Sequence, residues 1–137
     1  MSKQVQLTES FRVNVQGTLD ARFQLDADGR PVQEEDDEGH FYFINLRLKS
    51  PQRNKIDKVT YLLDASYTVS SRFSKDGDTD FLAEITAYGD YVLTVKIQMG
   101  KHLYVEKAWL SALLEAGHAG EAVTGPIRDA IDDIKAN

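Results

Sequence analysis

The alternation of apolar and polar positions is the strongest signal in this chain. From Phe11 to Leu25 the odd positions read Phe, Val, Val, Gly, Leu, Ala, Phe and Leu, and the even ones are all polar. A period of two predicts a strand with one buried and one wet face. Ordinary strands run about 5–6 residues, so a break or bulge is expected near Gly17, where glycine interrupts the pattern. Val5 and Leu7 extend the first strand. Asp26-Ala27-Asp28-Gly29 is a turn signal. The acidic stretch that follows, Pro31 to Gly39, has no periodicity and reads as a loop.

His40 to Leu48 resumes the strand pattern, with Tyr42, Ile44, Leu46 and Leu48 on one face and Phe41 and Phe43 on the other. Ser50-Pro51 ends it, because proline cannot donate to a ladder. Three more strands follow. Val59, Tyr61 and Leu63 mark the first, Phe81, Ala83, Ile85 and Ala87 the second, and Tyr91 to Met99 the cleanest alternation of all. After Gly100 the period changes. Tyr104, Ala108, Leu110, Leu113 and Leu114 recur at helical spacing, with Gly117 as a natural stop able to take a left-handed cap. Thr124-Gly125-Pro126 opens a second helix, with proline where its missing N–H is harmless, and Ile127, Ala130, Ile131 and Ile134 form its apolar stripe.

Six or seven strands followed by two short helices predict an all-β fold: an immunoglobulin-like antiparallel β-sandwich with two short C-terminal helices. The expected organisation is one domain, with the sandwich in residues 1–100 and a helical extension packed on it in 101–137.

Composition narrows the function. The chain has no cysteine, which removes a disulfide scaffold, a thiol nucleophile and thiolate-bound zinc. The N-terminus has no apolar stretch like a signal peptide, and no run reaches membrane-spanning length. The expectation is a cytoplasmic protein without membrane insertion. A net charge of −6 counts against nucleic acid, which demands a basic stripe. The loose cluster Arg47, Lys49, Arg53, Lys55 and Lys58 reads as a solvated face.

Catalytic motifs are absent. His40, His102 and His118 belong to no paired-histidine or triad spacing and read as surface or capping residues. No phosphate-cradling glycine loop occurs. Asp26/Asp28 and Asp76/Asp78/Asp80 begin like calcium loops, but the required glycine and closing glutamate are misplaced. We therefore expect a non-enzyme with no cofactor and no metal.

Two polar–aromatic turns at strand ends carry the remaining interest, Asp64-Ala65-Ser66-Tyr67 and Ala87-Tyr88-Gly89-Asp90-Tyr91. With their strands, Val59 to Tyr67 and Ala87 to Ile97, they resemble the YEATS domain family. That family has a V-x-[YF]-x-L strand leading to His-x-Ser-[FY], and later Gly-Trp-Gly-x-Phe before an alternating apolar run. The resemblance covers residues 40 to 98, and the compact tail is closer to the prokaryotic YEATS-like branch. It implies a sandwich that reads acylated lysine through an aromatic loop-end cleft. Tyr88, Tyr91 and Tyr67 would be aromatic walls, Ser66 the hydroxyl bonding the acyl amide, and Gly89 the point where a ligand reaches the backbone.

Two departures shift the expected ligand. Asp64 stands in place of the family's histidine, and Asp90 adds a second carboxylate, which together favour a cationic lysine over a neutral acyl-lysine. The expected site is therefore Asp64, Ser66, Tyr67, Tyr88, Gly89, Asp90 and Tyr91, and the expected partner a peptide or protein, with a modified lysine as one form of the recognised side chain. The rival reading is an assembly protein that oligomerises or docks through the Ile127–Ile134 helix. A sugar-binding sandwich is a weaker third.

Overall fold

In the computed structural model the described residues are 16–64, 70–121 and 124–137. They form eight strands and two α-helices: β1 (Thr18–Phe23), β2 (Gln33–Asp36), β3 (Gly39–Lys49), β4 (Lys58–Leu62), β5 (Ser71–Ser74), β6 (Ala83–Ala87), β7 (Val92–Met99), β8 (His102–Trp109), α1 (Leu110–Gly117) and α2 (Pro126–Ala136). All strand pairs are antiparallel. Two sheets face each other, one built on β3 and the other ordered β5-β4-β7-β8. This is an immunoglobulin-like β-sandwich with two short C-terminal helices.

In the first sheet, β3 is long enough to serve three partners. Ile44 to Lys49 pairs with β1, and Gly39 to Tyr42 with β2. The register of β6 overlaps both stretches, so β6 takes the opposite edge and β1 and β2 lie end to end. The Asp26–Arg30 turn separates them. Asp26 Oδ1 accepts from the N–H groups of Asp28 and Arg30, and Asp76 Oδ1 from that of Asp78. The aspartate-rich stretches thus show turn chemistry.

The alternation works as expected in β3, β4, β6 and β7, and in β1 apart from Asp20, which is buried. Leu19, Ala21 and Phe23, then Tyr42, Ile44, Leu46 and Leu48, face Val59, Tyr61, Leu93, Val95 and Ile97 across one core. Phe81 is fully buried but stands outside the strand, with φ of 57°. Bonds hold it there: its N–H donates to Asp76 O, and its carbonyl accepts the Tyr61 hydroxyl at 2.8 Å. Burial pushes the Tyr61 hydroxyl well above its usual range.

The structure corrects the expected elements at several places. Residues 33–36 are a strand, not a patternless loop. Every residue of β2 is exposed, so its backbone pairs with β3 while its side chains carry no burial pattern. β5 was likewise hidden in a polar stretch. The largest difference is at 102–109, which is a strand of the second sheet rather than the start of a helix. Met99 pairs with His102 across a two-residue turn in which Gly100 has φ of 61°, the first-position conformation of a tight hairpin.

Helix α1 begins only at Leu110 and buries Leu110, Leu113 and Leu114. Gly117 does not adopt the left-handed cap. Its role is close approach, since a Cβ there would lie 2.1 Å from Ala21 O. Helix α2 opens as expected with Gly125 as cap and Pro126 in its first turn. Its stripe of Ile127, Ala130, Ile131 and Ile134 is buried within this chain. The surface on which the assembly reading rested is therefore already covered.

Candidate functional site

The second helix reaches the end of the sandwich where the Ala87–Tyr91 turn lies. Asp133 fixes it there. Its Oδ2 meets His40 Nε2 at 2.5 Å and accepts the Tyr42 hydroxyl at 2.7 Å. Partial desolvation pushes the Asp133 carboxyl up, but the bonds from His40 and Tyr42 outweigh it and hold the carboxyl below its usual range. Tyr42 is driven the other way, raised by burial and by the neighbouring carboxylate.

Beside this anchor lies an open cleft of ≈ 300 Å³ lined by Glu38, Asp64, Tyr88, Gly89, Asp90, Tyr91 and Asn137. Five of the residues singled out from the sequence thus converge on one site, although Asp64 and Tyr88 are distant along the chain. Ser66 and Tyr67 lie outside the described residues. Glu38, at the β2–β3 turn, was not anticipated, because its stretch read as a loop.

The individual roles differ from the expected ones. Tyr91 is only 7% exposed and belongs to the core, so it is a floor rather than a free-standing wall. Tyr88 is half-buried. Its ring packs on Phe41 with centroids 5.3 Å apart, and its hydroxyl donates to Asp36 Oδ2. That bond, followed by backbone N–H contacts, holds the Asp36 carboxyl below its usual range. The tyrosine is thereby tied to the acidic hairpin.

Asp90 has a structural task as well as a place in the cleft. Helix α1 has Trp109 as its cap residue, with no side-chain cap bond. Asp90 supplies what is missing: Oδ1 accepts the Ser111 N–H at 2.9 Å and Oδ2 the Ser111 hydroxyl at 2.6 Å. A carboxylate at a helix N-terminus satisfies an orphan donor and complements the helix dipole.

Gly89 is bare because the chain itself approaches it. A Cβ there would lie 2.7 Å from the C and O atoms of Asn137. The backbone surface assigned to a ligand is shared with the end of α2. What remains open is a shallow, carboxylate-rimmed cleft with one aromatic ring at its side. Among the described residues no group of three or more His, Asp or Glu side chains is arranged to hold a metal. Among them, too, no helix is long and apolar enough to cross a membrane.

No family model matches the chain, and no curated protein matches it. Among solved structures it is similar to the Yaf9 YEATS domain recognising an H3K122suc peptide. The identity is 18%, the match covers 69% of this chain and 67% of that one, and the TM-score is 0.46.

Proposed function

We propose that this chain is a non-catalytic binding module that receives a cationic side chain of a peptide, a lysine or methyl-lysine, in the loop-end cleft. The observation that carries the reading is the convergence of Glu38, Asp64 and Asp90 with Tyr88 around one open cleft. Carboxylates grouped beside an aromatic face attract an ammonium group by charge and through the ring quadrupole. A neutral acyl-lysine fits less well. Its amide needs an apolar slot with matched hydrogen bonds, whereas this rim is charged and Tyr91 is packed into the core. The resemblance in the two turn motifs supports the location, and the charged residues support the change of ligand.

The test is an amide NMR titration with otherwise identical peptides carrying unmodified, trimethylated, acetylated or crotonylated lysine. Saturable shifts at Asp64 and Tyr88–Tyr91 with the cationic peptides, lost in Asp64→Asn, support the reading. Tighter binding of an acylated peptide would replace it with the acyl-lysine reading. A flat response to all four at millimolar peptide would remove the cleft as a lysine site.

A further inference from the structure

The outward face of the second sheet is unlike the rest of the molecule. Among the described residues, six large hydrophobic side chains are exposed, and five of them, Phe73, Val92, Leu103, Val105 and Trp109, are 42–63% exposed and stand on this one face. The register proves the shared face. Phe73, Thr60, Lys96 and Val105 form one cross-strand row over β5, β4, β7 and β8. Val92 lies opposite Trp109, and Leu103 opposite Gln98. Their sequence neighbours Val59, Tyr61, Leu93, Val95 and Ile97 point into the core, so this set points out.

Charge on the same face is one-sided. Lys58, Lys96 and Lys107 stand on it, and no outward position of these four strands is Asp or Glu. That contrasts with a chain of 22 acidic and 16 basic residues. Lys58 Nζ lies 5.4 Å from the Phe73 ring centroid. Its apolar stem and charged head are thus laid across the aromatic surface. Exposed apolar side chains gathered on one face of a domain mark an interaction surface.

We propose that this face docks an acidic segment of a partner protein, one that presents apolar side chains between carboxylates. Charge complementarity selects this occupant. A second copy placed face to face would set lysine against lysine, which costs free energy instead of gaining it. A nucleic acid would meet only three lysines on a chain whose net charge is −6, too few to offset repulsion of the polyanion. An anionic bilayer would have to draw the interleaved ammonium groups down with the apolar side chains, because both project from the same strands. A protein strand places a carboxylate opposite each lysine and an apolar side chain opposite each gap. The surface shares no residue with the lining of the loop-end cleft, and its partner carries the opposite charge.

Trp109 is the only tryptophan in the chain, so its emission reports on this face directly. The full chain is titrated with a short peptide of alternating glutamate and leucine or phenylalanine. Its lysine counterpart, an oligothymidine strand, and phosphatidylserine–phosphatidylcholine vesicles serve as rivals. We expect acrylamide to quench Trp109 in the free chain, and the acidic peptide to shift its emission and protect it. Binding should weaken with salt, and fall at least about tenfold in Lys96→Glu/Lys107→Glu, whose circular dichroism stays that of the parent. Tyr88→Ala should leave it unchanged, which separates this surface from the cleft. The proposal is overturned if Trp109 is already shielded in the free chain, if the acidic peptide gives no change at millimolar concentration, or if the lysine peptide, oligonucleotide or vesicles bind more tightly.

Discussion

The imidazole of His118 accepts the backbone N–H of Phe23 through Nε2 at 2.9 Å, 95 positions away in sequence. Its Nδ1 meets Glu121 Oε1 at 2.9 Å, which fixes Nδ1 as the protonated nitrogen and leaves Nε2 free to accept. That bond holds the Glu121 carboxyl below its usual range. The Phe23 N–H points away from β3, where a neighbouring strand would stand, and a side chain takes the strand's place. His118 is 2% exposed and stacks on Phe23 with centroids 5.6 Å apart. It is a structural residue that ties the end of α1 to the edge of β1.

His118→Phe separates the bond from the bulk, because the ring remains and the acceptor goes. An orphaned buried N–H costs about 1–3 kcal/mol, and urea unfolding should show a loss of that size. Glu121→Gln should cost less than about 1 kcal/mol, since Glu121 is exposed and its contact is screened. Equal losses in the two variants would show that the Phe23 bond is not what His118 contributes.

Replacing Gly117 by alanine should reverse the sign expected from helix propensity. Within a helix that change ordinarily gains up to about 1 kcal/mol. Here the added Cβ would sit 2.1 Å from Ala21 O and 3.1 Å from Ala21 C, and backbone cannot step aside as a flexible side chain can. Overpacking of this kind costs about 1–3 kcal/mol. A thermal melt showing Gly117→Ala more stable than the parent would mean that α1 is not pressed against β1.

Where one face is buried and the other wet, as at Tyr42–Leu48 and Tyr91–Met99, alternation identified the strands correctly. It failed at β2, whose side chains are all exposed. It failed again at β8, where the polarity is inverted: Leu103, Val105 and Trp109 face water, while Glu106 is 3% exposed. Apolar residues on an outward face made a helical spacing look convincing. The cleft was legible because turn residues at strand ends cluster by topology, so Asp64, Tyr88 and Asp90 could be grouped from sequence. Their duties were not, because Asp90 serves a helix 21 positions later and Gly89 serves the end of α2. Such pairings exist only once the fold brings the segments together.

Acid should loosen the second helix first. Asp133 and Glu115 both have depressed carboxyl values. In Asp133 the bonds from His40 and Tyr42 overcome desolvation, and in Glu115 the Lys135 bond leads. A carboxyl that is more acidic folded than unfolded binds fewer protons when folded. Its stabilisation is complete above the ordinary values of 3.8 and 4.5 and is lost as pH falls through the lower folded values. Urea midpoints measured down this range should fall less steeply in Asp133→Asn than in the parent. Parallel curves would show that Asp133 is not linked to folding.

Tyr88 can be dissected into a tether and a ring. Tyr88→Phe removes the bond to Asp36 and keeps the contact with Phe41. Asp36 is exposed, so solvent screens the bond and stability should hardly change. The Asp36 carboxyl, released from its largest favourable contact, should titrate closer to 3.8, which a carboxyl-carbon NMR titration reads directly. Tyr88→Ala also removes the ring pair, worth about 0.5–1.5 kcal/mol beyond area burial, and takes away the aromatic side of the cleft. If the ring attracts the cation, cationic peptide binding survives in Tyr88→Phe and disappears in Tyr88→Ala. If the tether instead sets the cleft by holding the β2–β3 hairpin in place, the two variants lose binding alike.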